Sequence, residues 1–479
     1  MPWRDRLRPV PMQRVALVAP VATLRAVLLQ VAGSGSVELD PASADEETAG
    51  QAARRLQGAP PGAASPGGDA GAAPPALSPS GPDLEGWERA GRWDLIAGEA
   101  ELNGRMRDAV AGGRAAALAG WTPADAVPGL AARLAETGGA VVPLPRPRGV
   151  DPPTLLRASG VRRSLTPLLE TYGTMPYADV DPTVLAAVAY VLMFGMMFGD
   201  VGHGLLLLLL AAGLRAGRPR RLARFGRAWP FVGGAGLASA VFGLLYGECF
   251  GPTGLVPVLW LAPLEEPVPL LLAAVGVGGL LLAGAYALGT VNRWREGGWP
   301  LALYAPSGIA GAAVFLGLGL AAGGWLTGLA WPVAVGGVVA VGGLALAFTG
   351  FLFAAGGGWA GVGQAAVEVF DLVARLGANV VSFARLAAFG LTHAAIGAVV
   401  WQASAGLWGQ GVIAGAAAVA VFTVGNALAF SLEALVAAVQ ALRLEYYELF
   451  SRVFQAQGRP FRPWHVPIAS EDEVLCRSG

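Results

Sequence analysis

The amino-acid sequence predicts an α-helical polytopic membrane protein, with about eight transmembrane helices and a small α+β cytoplasmic N-terminal domain. Of its 479 residues, 54% are hydrophobic and only 14% are charged, fewer charges than a typical soluble protein carries. From about residue 183 onward, apolar runs of about 20 residues recur, which is the length at which a helix crosses a bilayer. These runs are 183–214, 228–250, 268–291, 300–322, 330–355, 365–402 and 411–447.

The N-terminal domain is expected over residues 1–175. Two strand-helix-strand patterns, at 14–39 and 115–144, predict a small α+β fold. Between them, the Pro/Gly/Ala-rich segment 41–83 has too few large apolar residues to form a core, so it is expected to be disordered. Residues 86–107 then predict a weakly amphipathic helix.

In the second pattern, Thr122 is expected to cap a helix whose first position is Pro123. The domain shows no nucleotide-binding loop, metal cluster or catalytic constellation, so it predicts no cofactor and no nucleic-acid partner. The two cysteines, Cys249 and Cys476, are too few for a disulfide framework or a cysteine metal site.

Charge orients the apolar runs, because short loops rich in arginine stay in the cytoplasm. The loop 215–227 holds six arginines, and Arg293 with Arg295 marks a second cytoplasmic loop. The loop 251–267 carries acidic residues but no basic one, as an outside loop should. The N-terminal domain and the C-terminal tail, 456–479, are both expected in the cytoplasm.

The first apolar run, 183–214, must therefore begin and end on the same side. We interpret it as a hairpin of two short helices that breaks at the glycine-rich residues 199–204, which gives eight membrane helices in total. A single long first helix would give seven and would place either the N-terminal domain or the arginine-rich loop outside. The last two runs are long, so their helices are expected to be tilted.

Arg385 lies near the middle of the run 365–402, roughly 25–30 Å from either end at about 1.5 Å per residue. A charge at that depth costs about 2.5–3.5 kcal/mol, so it is expected to face a partner or a water-filled cavity. The alternative is a buried structural arginine that binds carbonyl groups or a helix end. Residues at helical spacing share its face: Ser382, Phe389, Thr392 and His393.

Three stretches carry a family resemblance: 172–204 with Asp200-Val201-Gly202-His203-Gly204, Ser239–Gly251, and Asn379–His393 with its Ser-x-x-Arg-Leu motif, followed by Leu432-Glu433 and Ala441-Leu442-Arg443-Leu444. In order and spacing they resemble the membrane stator subunit (subunit a, or I) of vacuolar and archaeal-type rotary ATPases. The resemblance runs from about residue 115 to 455. The N-terminus departs from the family, because only about 175 residues precede the membrane and the Pro/Gly-rich segment replaces the usual coiled coil.

The resemblance implies a non-catalytic subunit that forms ion half-channels against a separate proteolipid ring, whose helices each carry a membrane carboxylate. Arg385 matches the family's stator arginine, which favours the ionised carboxylate and so forces each arriving site to release its proton. The coupling ion, proton or sodium, stays open. The other implied partners are peripheral stalk subunits, through the N-terminal domain, and the lipid of a prokaryotic plasma membrane. No metal or catalytic residue is implied.

On the last helix, Glu433, Gln440 and Arg443 fall on neighbouring parts of one surface. We interpret Glu433 as a half-channel proton relay, because acidic residues inside membranes are usually functional. Arg443 matches a second family arginine, and the alternative is that its side chain simply snorkels to the interface.

Further candidates each have a structural alternative. His393 and Glu368 flank the arginine as channel-lining residues, or are a structural histidine and part of a solvated helix start. Asp200 and His203 could line an outer vestibule, but the surrounding glycines favour a role in the hairpin turn. Glu248 is a weak candidate for the outer channel and is otherwise a helix-packing residue.

Two other functions would fit the same residues. A stand-alone, ion-coupled secondary transporter would use Arg385 and Glu433 as its site, and inverted repeats would support it. The two halves of the sequence show no such repeat. A non-translocating membrane scaffold would require that Arg385 be dispensable.

Overall fold

The computed structural model describes residues 9–40, 77, 81–147, 149–156, 175–177, 179–217, 226, 228–453 and 458–466. These residues form two compact units, Pro9–Leu155 with the described part of Gly458–Gly479, and Leu156–Gln457. Most of the Pro/Gly/Ala-rich segment and five of the six arginines of the loop 215–227 lie outside the described residues, so the predictions made for them remain predictions.

The first unit is a sheet with helices. Its strands are β1 Met12–Pro20, β2 Glu38–Leu39, β3 Val110–Gly112, β4 Ala115–Pro123 and β5 Ala140–Leu144, and its helices are α1 Leu24–Ser34, α2 Leu84–Arg89, α3 Trp93–Asp108 and α4 Val127–Ala135. All strand pairs are antiparallel, in the order β2-β4-β1-β5, with β3 paired to β4. The two predicted strand-helix-strand patterns are confirmed.

The core of this unit follows from the period of two along β1. Val15, Leu17 and Ala19 point to one face of the sheet and are almost fully buried. Val27 and Leu28 of α1 are also fully buried and belong to the same apolar cluster. The alternation of apolar residues along β1 therefore corresponds to one face of the sheet, which packs against α1.

Two local predictions in this unit were wrong. Thr122 does not cap a helix, because β4 runs on to Pro123 and the buried Thr122 hydroxyl donates to the carbonyl of Ser36 (2.8 Å). The helix begins at Val127, after a turn. The single helix predicted for 86–107 is two helices, interrupted next to Gly91, whose φ of 67° lies in the left-handed region that favours glycine.

The C-terminal tail is part of the same unit. Trp464 is buried; its backbone N–H donates to Val37 (2.7 Å) and its indole N–H to Glu101 (2.8 Å). Glu38 forms an ion pair with Arg459 (2.9 Å) and accepts the backbone N–H of residue 462 (2.7 Å). Burial raises the pKa of the Glu38 carboxyl above its usual value, although these two partners act against the shift. The tail thus completes the core of the sheet unit.

The second unit consists of apolar helices. They are α5 Thr183–Met197, α6 Val201–Arg215, α7 Trp229–Tyr246, α8 Pro267–Tyr304, α9 Ile309–Thr327, α10 Ala330–Ala354, α11 Gly358–Ser382, α12 Ala384–Leu407 and α13 Val412–Leu444, followed by a π-helical turn Glu445–Phe450 and α14 Ser451–Val453. Within the described residues, six helical segments are long and apolar enough to cross a membrane, with α11–α12 and α13–α14 each counted as one segment. The chain is a multi-pass membrane protein.

The predicted break of the first apolar run into two short helices is confirmed by α5 and α6, which are separated by only three residues. That the two helices begin and end on the same side of the membrane remains a prediction. Each has 15 residues, or about 22 Å of helix, less than the roughly 30 Å hydrocarbon core. The predicted total of eight is therefore reached only when these two short helices are counted with the six long segments. A Cβ added at Gly204 would lie 2.6 Å from the backbone nitrogen of Ala240, so only glycine allows α6 and α7 to pack this closely.

A polar network lies just before α5. Asn292 of α8 accepts the backbone N–H of Val180 (3.0 Å) and donates to the carbonyl of Val453 (3.4 Å). The carboxylate of Asp179 beside it is buried, and neither of its oxygens has a hydrogen-bond partner among the described residues. Burial, and then the neighbouring Glu296 carboxylate, raises the pKa of Asp179 to about 7.

We predict that Trp464→Ala destabilises the sheet unit by about 3 kcal/mol, the lower end for removing a buried aromatic side chain. Hydrogen exchange of the amides of β1 in the full chain should then become faster. His465→Ala is the matched control, since the adjacent histidine is exposed and its loss should leave exchange unchanged. Equal exchange in Trp464→Ala and wild type would show that the tail adds no stability.

We predict that Asp179→Asn makes the protein more stable at pH 8 but not at pH 5. A carboxyl with a raised pKa binds its proton more tightly in the folded state, so its contribution to stability falls as pH rises from about 4 to 7. The variant should unfold about 2–4 °C higher than wild type at pH 8, the shift that 1 kcal/mol produces in a protein part of this size. Asp371→Asn, at a partly exposed carboxylate, should show no such pH-dependent gain.

Candidate functional site

Helices α12 and α13 form an antiparallel pair closed by the short connection 408–411. Arg385 lies against Gln440, His393 against Glu433, and Val400 against Gly425. Each step of seven or eight residues toward the connection on one helix is matched by a step of eight or seven residues on the other. One register therefore brings together two pairs of predicted site residues, separated along the helix by eight residues, or about 12 Å.

Arg385 is half-buried and is held by neutral groups. Its guanidinium donates to Gln440 Oε1 (3.4 Å) and to Ser382 Oγ (3.4 Å). Arg443 and Glu448 act on it through their charges, but Arg385 forms no ion pair in the part of the chain that the structure describes. Two weak, long hydrogen bonds hold the guanidinium in place while leaving its charge without a carboxylate partner.

The position of Arg385 depends on the junction between α11 and α12. Phe383, at the junction, is fully buried and packs where Gly278 of α8 leaves space for its ring. A side chain at Gly278 would overlap that ring, so this glycine sets the distance between the helices. Arg385 follows two residues later, on the side that faces α13.

His393 and Glu433 form the second pair. The Nδ1 of His393 contacts the Oε2 of Glu433, and the imidazole is buried. The other oxygen of Glu433 has no hydrogen-bond partner among the described residues. Asp200 and Glu248 act electrostatically on this histidine. The hairpin tip and the loop after α7 therefore each contribute one acidic residue to the same cluster.

Asp200 holds the hairpin tip. Its Oδ1 accepts the backbone N–H of His203 (2.9 Å), which caps α6, and its Oδ2 accepts that of Gly251 (3.0 Å). The backbone N–H of Val201 donates to the carbonyl of Glu248 (2.9 Å). The motif at 200–204 thus fastens the tip to the loop after α7.

His203 lies between the tip and α12. Its ring is 5.5 Å from that of His393, 5.5 Å from Phe198 and 5.3 Å from Phe250, measured between centroids. Its side chain is 3% exposed, and neither ring nitrogen has a hydrogen-bond partner in the described part of the chain. The nearest charged group is Asp200, whose Oδ1 is 3.7 Å from Nδ1.

Two of the predicted site residues are exposed. Glu368 lies on the outer surface of α11, near an ion pair between Arg375 and Asp371 (2.6 Å). Arg443 lies one turn beyond Gln440 on α13 and faces outward. The structure brings Arg443 close enough to Arg385 for their charges to interact, but it does not place Glu368 at either pair.

Sequence reasoning missed a polar group at the end of α13. Glu445 is buried with neither oxygen hydrogen-bonded within the described residues, and it begins the π-helical turn. With its amide turned to suit both neighbours, Asn379 donates to Glu448 (2.7 Å) and accepts from Arg452 (3.0 Å). The sequence did hold a signal, because Glu445 and Glu448 lie three residues apart at the end of an apolar run. Charges at such a position usually indicate the membrane interface, so the pair was not assigned to a buried site.

Comparison with known proteins agrees with the motifs. The sequence model described as the V-type ATPase 116kDa subunit family matches residues 112–251. An A-type ATP synthase subunit I of Thermococcus kodakarensis is 29% identical over 373 residues, which cover 73% of this chain and 54% of that protein. A V-type ATP synthase subunit I 2 of Treponema pallidum is 36% identical over 182 residues, 36% of this chain and 39% of that protein.

A human relative, V-type proton ATPase 116 kDa subunit a 3, is 36% identical over 119 residues, 23% of this chain and 14% of that protein. The chain spans about half the length of the curated relatives that match most of it.

Proposed function

We propose that the chain is a member of the V-type ATPase 116 kDa subunit family, and that it is the ion-translocating stator subunit of an A/V-type rotary ATPase or ATP synthase. It performs no bond chemistry itself; it forms two ion half-channels against a ring of proteolipid subunits. The observation that carries this proposal is Arg385, a half-buried guanidinium among apolar helices whose hydrogen-bond partners are neutral. Neutral partners fix the arginine and leave its charge for a carboxylate that arrives from outside the chain.

Arginine suits this role on physical grounds. A ring carboxylate crosses lipid only when protonated, because an ionised one costs several kcal/mol there. Next to Arg385 the ionised form is favoured, so the carboxyl releases its proton on one side and takes up another after passing. The guanidinium itself stays charged and passes no proton, which prevents direct flow between the half-channels.

Exposed apolar side chains on α11 and α13, the two helices that hold Arg385 by hydrogen bonds, support an apolar partner. Phe370 and Val381 on α11 are 76% and 70% exposed, and Leu432 and Leu435 on α13 are 62% and 64% exposed. Apolar helices of a proteolipid ring would cover part of this surface, and lipid would cover the rest.

The His393–Glu433 pair is suited to one half-channel. Imidazole and carboxylate exchange protons readily, and the pair lies about 12 Å from Arg385 along the helices. An imidazole is a poor ligand for a hard cation, which prefers oxygen ligands. This pairing favours a proton over sodium as the coupling ion.

Orientation and assembly complete the proposal. The sheet unit lies in the cytoplasm and contacts peripheral stalk subunits, and the arginine-rich loop 215–227 lies on the same side. The hairpin tip at Asp200 then lies toward the outside of a prokaryotic plasma membrane. The outer half-channel would include the His393–Glu433 pair and Glu248.

We predict that Arg385→Gln, Arg385→Lys and Arg385→Ala each lower ATP-driven pumping by more than tenfold while the complex still assembles. The reason is that none of them provides a permanent planar charge for the carboxylate. Pumping is measured as ΔpH or Δψ in inverted vesicles. Arg375→Gln is the matched control, since this α11 arginine is 68% exposed and pairs with Asp371. Robust pumping by Arg385→Gln would refute the stator role.

We predict that Glu433→Gln lowers pumping severely, because it keeps the size and hydrogen bonding of the side chain but removes the exchangeable proton. Glu433→Asp should retain part of the activity. Arg443→Lys should have a mild effect, since the exposed Arg443 provides only a positive charge. Normal pumping by Glu433→Gln together with a dead Arg443→Lys would place the relay elsewhere.

A further inference from the structure

Three side chains at the hairpin tip have the composition of a transition-metal site. Asp200, His203 and His393 each offer one ligand atom, and these atoms lie within 4.8 Å of one another. All three side chains are buried. They come from the tip of the α5–α6 hairpin and from α12, about 190 residues apart in the sequence, so no spacing motif indicates the group.

We propose that Asp200, His203 and His393 bind one Zn²⁺ ion, or a similar divalent transition metal, and that the bound ion blocks the His393–Glu433 relay. Two imidazoles and a carboxylate are a common zinc ligand set that leaves a fourth position open. Bonds of about 2.0–2.1 Å in a tetrahedron place ligand atoms about 3.4 Å apart, so the group must close by about 1.4 Å at its widest.

His203 is the strongest single indication. It is an imidazole with 3% exposure, and neither ring nitrogen has a hydrogen-bond partner among the described residues. A buried polar side chain normally satisfies its hydrogen bonds, so an exception needs an explanation. The backbone of Asn426 lies close enough to act on one ring nitrogen, and a Zn²⁺ bond would account for the other.

The contact between His393 and Glu433 supports the same site. A metal-binding histidine usually donates its other ring nitrogen to a carboxylate, which fixes the tautomer and raises the basicity of the binding nitrogen. Glu433 contacts Nδ1 of His393, which leaves Nε2 for the ion. The relay pair therefore has the arrangement of a carboxylate–histidine–metal unit.

Charge also favours a dication. The charged groups that act most strongly on His393 are carboxylates: Glu433, Asp200 and Glu248. Gathering these carboxylates away from water is costly, and a bound divalent ion offsets their repulsion. With Zn²⁺ on Nε2, His393 cannot take up a proton there and pass one on from Nδ1 to Glu433, so the relay stops. Only this last consequence rests on the proposed function.

The test begins with the metal itself. The tag-free full chain in detergent is equilibrated with Zn²⁺ and freed of excess ion, and its zinc content and zinc X-ray absorption spectrum are measured. The expected result is one zinc per chain, bound by nitrogen and oxygen at about 2.0–2.1 Å with two imidazoles. A shell with sulfur or a single imidazole would overturn the proposal without any variant.

Variants then assign the ligands. His203→Ala and His203→Gln should weaken zinc binding at least tenfold, and His203→Cys should restore it with one sulfur ligand. His465→Ala is the matched control, because the third histidine of the chain lies exposed in the tail and its loss should leave binding intact. Undiminished zinc binding in a folded His203→Gln protein would refute the site.

The functional arm is separate. In vesicles that contain the assembled complex, Zn²⁺ should inhibit ATP-driven pumping by wild type and His465→Ala at the concentration at which it binds. For a His203 variant that retains measurable pumping, half-inhibition should need at least tenfold more zinc. Zinc binding at the predicted ligands without inhibition would refute the block but not the site, whereas a complex that does not pump even without zinc would count against the proposed function alone.

Discussion

A positive charge that cannot be neutralised, placed among apolar helices, is the constraint on which the membrane unit depends. Arg385 needs hydrogen-bond partners, yet a carboxylate of its own chain would satisfy the charge and end its use. Gln440 of α13 and Ser382 at the end of α11 resolve this conflict by offering an amide and a hydroxyl. Buried Phe383, packed against Gly278, fixes the helix start that presents the arginine.

The same helix pair orders the acidic residues. Because α12 and α13 are antiparallel with a four-residue connection, the register that matches Arg385 to Gln440 also matches His393 to Glu433. Arg385 and Glu433 are therefore kept about two helical turns apart. A register shifted by about two turns would bring Glu433 beside the guanidinium. The packing of α12 on α13 thus keeps Arg385 away from Glu433. The hairpin tip, which the hydrogen bonds of Asp200 hold in place, lies at the Glu433 end of this helix pair.

The sequence predicted the features that depend on residues close together in the chain. The hairpin at 199–204 followed from glycines beside a capping aspartate, and the sheet followed from alternating burial along β1. Ser382 and Arg385 were assigned to one face from helical spacing alone, and they are in contact. Thr122 failed because a hydroxyl residue before proline is as compatible with a strand end as with a helix start. Partners distant in the chain could not be predicted: the register of α12 on α13 pairs His393 with Glu433, and the packing of the tip on α12 adds His203.

The π-helical turn after α13 shows how one such tertiary effect arises. Glu445 and Glu448 are three residues apart, as charges at a membrane interface often are, yet Glu445 is buried and Glu448 contacts Asn379. A π-turn widens the helix by one residue, which changes the direction in which the following side chains point. Glu448, about two turns beyond Gln440, and Arg452, about one turn further, both contact Asn379 of α11. Polar side chains therefore recur from Arg385 toward the end of the unit, along one side of otherwise apolar helices.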